Sequence, residues 1–171
     1  MENRLKNMIA KKNKNRILAA GFVILIAVVI GIAFDYYYHL NDDMLMKDLT
    51  SGMYTGRPEG YNIQMLFPIS WLLSLPYLLT RTISWYGLFY LACNYGCLYL
   101  ICRQVLSKTE KKIEKFSILA LGLLFLGAFF LWDLIFLQYT VTSAILCGTA
   151  IFLFLTNETQ SDYKKYSKQN Y

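Results

Sequence analysis

The chain has 171 residues, of which 56% are hydrophobic and only 16% charged, with a formal net charge of +6. A soluble domain of this size would interleave apolar and polar residues at helix or strand period, whereas residues 17–34 and 116–132 hold no charged residue at all, a pattern that calls for lipid around them. The basic residues form short clusters flanking apolar runs, not a basic face with interleaved aromatics, which excludes nucleic acid as the partner and makes the clusters anchors at a membrane surface.

In chain order, Arg4, Lys6, Lys11, Lys12, Lys14 and Arg16 precede the first apolar run, and the positive-inside rule keeps this N-terminal segment, residues 1–16, in the cytoplasm. The run 17–34 is longer than a signal-peptide core, so it is expected to be an uncleaved first span, although Gly31 and Ala33 form a loose small-x-small pair. Residues 35–60 are polar and glycine-containing and form an external loop.

Two apolar stretches follow, 63–79 and 83–101, separated by little more than Arg81 and Thr82. If both crossed, the cluster Arg103, Lys108, Lys111, Lys112 and Lys115 would lie outside, against the charge rule. The first stretch contains Pro68 and Pro76, and its Ser70, Ser74, Tyr77 and Arg81 fall on one stripe at about 100° per residue. It is therefore expected to be an interfacial helix on the outer surface, with 83–101 returning to the cytoplasm. Residues 116–155 are about twice the length that one span needs. They predict a hairpin of spans 116–132 and 139–156, turning at Asp133 beside Trp132, Gln138 and Tyr139.

Lys164, Lys165 and Lys168 place the polar tail 157–171 in the cytoplasm. The expected fold is thus all-α, a multi-pass bundle in the cell membrane with four spans, one interfacial helix and both termini cytoplasmic. The lipid bilayer is its first partner.

The external loop carries the residues with most chemical interest. Asp42 and Asp43 are adjacent carboxylates just above a membrane, suited to holding a divalent metal ion or deprotonating a hydroxyl. The competing reading is structural: Asn41 caps a short helix that Gly52 ends, the two aspartates favour its first turn, and Asp43 faces Lys47 four residues on.

Other polar residues have simpler readings. His39, next to Tyr36, Tyr37 and Tyr38, reads as an interfacial aromatic anchor. Asn94, Thr140, Thr142 and Ser143 read as hydrogen-bonding groups between helices, and Ala144 with Gly148 as a packing pair. Cys93, Cys97, Cys102 and Cys147 read as small apolar residues, with neither a disulfide framework nor a zinc site. Asn157, Glu158 and Thr159 match a glycosylation acceptor pattern but fall on the cytoplasmic side.

A basic N-terminus, one span, an external Asp42-Asp43 segment, the stretch Gly52-Met53-Tyr54-Thr55-Gly56-Arg57-Pro58, an interfacial helix, and Trp85-Tyr86 opening the next span occur in this order. Over residues 17–156 this order resembles the N-terminal part of bacterial multispanning members of the C-type membrane glycosyltransferase superfamily. The resemblance implies a polyprenyl-phosphate-linked sugar as donor. It implies Asp42 and Asp43 as catalytic carboxylates, one acting as base or helping to hold a divalent metal ion. Arg57 would meet the donor phosphate, since a guanidinium suits phosphate geometry, and Tyr54 of the same stretch would join it in substrate binding.

Full-length members have many more helices. The alternative is therefore a non-enzymatic subunit that kept this front part to pack against another helical membrane protein or against copies of itself. A transporter ranks behind both, because none of the four expected spans carries a charge at its centre.

Overall fold

The computed structural model describes the backbone of residues 2–39, 41–109 and 111–169; the side chains of 2–9, 11, 12, 41, 129 and 158–169 are outside the description. The Asn41 capping contact expected from the sequence lies outside it too.

The described chain is mostly helical. Helix α1 (Glu2–Ala33) is followed by a two-residue strand β1 (Tyr37–Tyr38), α2 (Asn41–Ser51), α3 (Phe67–Ser74) and α4 (Trp85–Lys108). Then come α5 (Lys112–Phe125), α6 (Leu131–Ile135), a second short strand β2 (Phe136–Leu137) and α7 (Tyr139–Gln169). A single 3-10 turn, Leu75–Leu78, extends α3, and a π-helical turn, Leu126–Phe130, joins α5 to α6. The two strands pair in parallel, Tyr37 with Phe136 and Tyr38 with Leu137.

Helix α4 is the centre of the bundle, with α1 and α7 packed on it. On α1 the contact face is Ala19, Val23, Ile26 and Ile30, buried residues three or four apart, as one stripe of an α-helix requires. The rest of α1 stays uncovered: Ile17 is 72% and Ile32 82% exposed, with Ile24, Leu25, Val28 and Val29 all above half. On α4 the buried stripe is Tyr86, Tyr90, Asn94 and Cys97. Ser84 caps that helix, its hydroxyl accepting the Gly87 N–H at 3.4 Å.

Among the described residues, two helical stretches are long and apolar enough to cross a membrane, Asn13–Ala33 and Tyr139–Asn157. Helix α4 has the length, but its many tyrosines, Asn94 and two glycines make it less apolar. The expected span 116–132 is interrupted by the π-helical turn. Helix α1 starts within the basic segment and α7 runs on to Gln169, so both flanking segments of the sequence are helical continuations of their neighbours.

The expected interfacial helix over 62–81 is shorter than its polar stripe predicts. Pro68 sits in the first turn of α3, where its missing N–H is not needed, and Pro76 withholds an N–H from the next, so the α-helix gives way to the 3-10 turn. The stripe itself points inward: Ser70, Ser74 and Tyr77 are buried. The outward side is apolar, with Trp71, Leu72, Leu78 and Leu79 exposed.

The elements collect at two opposite ends. At one end Asn15 of α1 donates to the Leu106 carbonyl (3.0 Å) and accepts from Lys115 (2.6 Å), while Gln104 and Lys108 bond Thr156 of α7. At the other end β1 meets β2, Asn94 donates to the Asp133 carbonyl, and α2 and α3 pack on the start of α4.

Candidate functional site

Helix α2 carries Asp42 and Asp43 in its first turn, and successive residues of a helix lie about 100° apart. That rotation separates them. Asp42 is exposed, and its Oδ2 accepts from Gln64 Nε2 at 3.3 Å. Asp43 is fully buried. Its Oδ1 accepts the Tyr139 N–H at 3.0 Å and the Tyr86 hydroxyl at 3.3 Å, while Oδ2 has no protein partner.

Asp43 thus caps the N-terminus of α7 from a different element, where the exposed N–H groups and the helix dipole favour an anion. Burial nevertheless pushes its pKa above the usual carboxylate value, with the Tyr139 N–H and the Tyr86 hydroxyl pulling the other way. Tyr38 is close by, with its hydroxyl 2.5 Å from Ser84 Oγ, and burial pushes its pKa up to about 12.

The expected Asp43–Lys47 contact is replaced by another. Lys47 pairs with Asp48 at 2.5 Å, because the Asp43 carboxylate is turned to Tyr86 and Tyr139. The two acids therefore face different surroundings, and among the described residues no three His, Cys, Asp or Glu side chains gather where a metal ion could sit. The exposed Asp42 is the carboxylate open to an incoming group.

The loop after α2 folds back on it. Gly52 ends the helix at φ 74°, with its N–H on the Leu49 carbonyl and the Met53 N–H on Asp48. Asn62 donates to the Met46 carbonyl (3.2 Å) and to the Thr50 hydroxyl (3.0 Å). Gly60 lies so close to α3 that a Cβ there would come within 2.7 Å of Trp71 Cβ. Tyr54 and Arg57 both project from this loop as exposed residues.

Beside this loop lies a cavity of about 400 Å³ lined by Lys47, Ser51, Met53, Tyr77, Arg81, Thr82 and Ser84. Arg57 and Tyr54 are not among the lining residues. The Arg81 guanidinium donates to the Gly56 carbonyl at 2.7 Å and has no carboxylate partner among the described residues. Sequence reasoning missed this cavity, having assigned Lys47 to an ion pair and Arg81 to an interfacial stripe. The available signals were the i, i+4 spacing of Lys47 and Ser51 and the isolated charge of Arg81 between two apolar stretches.

His39 meets Trp132 and Phe136 edge-on, and Trp132 stacks on Phe136 at 4.1 Å. Ser143 bonds the Tyr139 carbonyl of its own helix instead of a neighbour, while Thr142 is buried without a protein partner for its hydroxyl. The four cysteines are free thiols. Compared with protein-family models, curated proteins and solved structures, the chain matches none of them.

Proposed function

We propose that this protein is a multispanning membrane protein that transfers a sugar from a polyprenyl-phosphate carrier at the outer membrane face, as its resemblance to C-type membrane glycosyltransferases implies. Helices α1, α4, α5 with α6, and α7 are the four spans, and both termini are cytoplasmic. The largely uncovered apolar faces of α1 and α7 support immersion in lipid. So does the gathering of Asn15, Lys108, Lys115 and Thr156 at one end of the bundle, because it brings the flanking basic segments together on one side.

The observation that carries the catalytic reading is the unequal setting of the two acids. Asp42, exposed at the start of α2, is the general base. It takes the proton of an acceptor hydroxyl as that oxygen bonds to the anomeric carbon and the carbon–oxygen bond to the carrier phosphate breaks. The phosphate leaves with the electron pair. Asp43 is a positioning residue that locks α2 to α4 and α7, and Arg57 and Tyr54 contact the substrate from the loop above. No step is assigned to a metal ion.

The test is sugar transfer from a polyprenyl-phosphate-linked donor in proteoliposomes. Asp42→Asn should lower turnover by about 10²- to 10⁴-fold, and wild-type turnover in that variant rejects the assignment. One observation favours a second reading, a non-enzymatic subunit: Ala144 and Gly148, the small pair on α7, face outward and not into the bundle. A monodisperse single chain in mild detergent that turns over the donor rejects this alternative.

A further inference from the structure

Helices α4 and α7 run side by side in the same direction. Near the end of α4, Gln104 donates to Thr156 and Asn157 of α7, offsets of 52 and 53 residues. At the other end Asp43 bridges the Tyr86 hydroxyl and the Tyr139 N–H with the same offset. That register sets Tyr90 level with Thr142 and Cys97 level with Thr149, with Asn94 between the two levels.

Helix α7 turns threonines to the bundle. Thr142 and Thr149 are its buried residues among those described, 1% and 4% exposed, while Leu146, Ile151 and Phe154 are exposed. Neither threonine hydroxyl has a protein partner. The same holds for Oδ1 of the buried Asn94, whose Nδ2 donates to the Asp133 carbonyl. A hydroxyl on a helix can satisfy itself at a carbonyl one turn back, and Thr50, Thr109, Ser117, Ser143 and Thr156 all do so. Thr142 and Thr149 do not, although an unpaired polar group in the interior is costly and rare.

We propose that the α4–α7 seam binds internal water, held by the Thr142 and Thr149 hydroxyls and the side-chain oxygen of Asn94.

The chemistry of the three groups selects the occupant. All of them lie inside the chain, beyond the reach of a lipid or a partner helix, so the occupant is small. It must donate to the Asn94 oxygen and can donate to or accept from the hydroxyls, as water does. An ion would find no counter-charge, because residues 86–101 and 139–156 contain no charged residue. Buried waters occur at about one per 27 residues, or about six in a chain of this length, and they serve groups of this kind.

The row of unpartnered atoms begins at the outer end of the bundle, where Oδ2 of the buried Asp43 is a fourth member. From Tyr139 to Thr149 the helix rises about 15 Å, roughly half the thickness of a hydrocarbon core of about 30 Å. The seam thus carries water to the middle of the membrane, and α7 is tied to α4 there by exchangeable bridges. The site does not rest on the transferase reading.

Two measurements on the full chain in phosphatidylcholine nanodiscs test the proposal. Threonine and valine have the same shape, so the sign of the stability change on Thr142→Val and Thr149→Val reports what the hydroxyl does. A hydroxyl bound to water is lost at a cost, and each variant should melt about 2–4 °C lower. A higher melting temperature shows a dry seam, and an unchanged one shows hydroxyls returned to their own helix; either overturns the proposal.

The second measurement is pulsed radiolysis in oxygen-18 water, which splits bound water in place and oxidises the side chains beside it. Tyr90 and Cys97 should be labelled in the wild-type protein, and Ile26 and Ile30, equally buried on α1, should not. The label should be lost from the Thr142→Val, Thr149→Val double variant, and its persistence there overturns the placement. If the double variant fails to fold, the wild-type protein decides alone, since unlabelled Tyr90 and Cys97 overturn the seam.

Discussion

Asp43 illustrates how a carboxylate of catalytic appearance can be committed to structure. Its Oδ1 serves the first N–H of α7 and the Tyr86 hydroxyl together, so Asp43→Ala takes the acceptor from one buried and one part-buried donor and should cost about 2–4 kcal/mol. Asp43→Asn keeps an acceptor oxygen in place and should cost much less. A pH titration separates the two roles further. Because the folded pKa is raised by burial, the folded state holds more protons than the unfolded one between the ordinary carboxylate value and the raised value. Stability must then fall as pH rises through that window. Thermal unfolding in detergent should therefore weaken with rising pH, and Asp43→Asn should flatten part of that slope; an unchanged slope would show that Asp43 is not the source. The sequence made the acid pair visible. It did not reveal which acid turns inward, because that choice depends on Tyr86 and Tyr139, far along the chain.

At the scale of elements, the turn after α2 decides where the candidate site lies. Gly52 is held at φ 74°, and a Cβ on it would lie 2.1 Å from the Arg57 carbonyl carbon, a clash with backbone that no rotamer relieves. Gly52→Ala should destabilise by more than about 1 kcal/mol and displace residues 52–60. Lower thermal stability together with faster proteolysis of that loop would verify it; a stable variant with an intact loop would contradict it. The sequence was informative here, since Gly52 was legible as a helix stop and the prolines of α3 as breaks. The direction of the polar stripe was harder to read. Periodicity groups Ser70, Ser74 and Tyr77 on one face but is silent on whether that face meets water or protein, and the buried hydroxyls show that in this chain it meets protein. The π-helical turn at Leu126–Phe130 had no signature among its apolar residues, as the hydrophobic pattern runs straight through it.

For the whole molecule, the question is which end faces which compartment, and the two-ended arrangement makes a sharp prediction. Contacts of Asn15 with Leu106 and Lys115 put the start of the apolar part of α1, the end of α4 and the start of α5 together, so these three points must share a side. The α2 loop lies at the opposite end, over the start of α4. The best reporters are side chains that water can reach. Thr50 and Thr109, though well placed in the chain, are buried. Tyr61 at 76% exposure and the Lys111 side chain at 80% are open. In intact cells, an impermeant thiol reagent should label Tyr61→Cys and leave Lys111→Cys untouched, while permeabilised cells should show both. Labelling of Lys111→Cys alone would invert the molecule, and with it the assignment of Asp42 and the Arg81 cavity to the outer face. Labelling of both in intact cells would mean that α4 does not cross, since Tyr61 and Lys111 flank that helix on either side, and the four-span arrangement would fall with it.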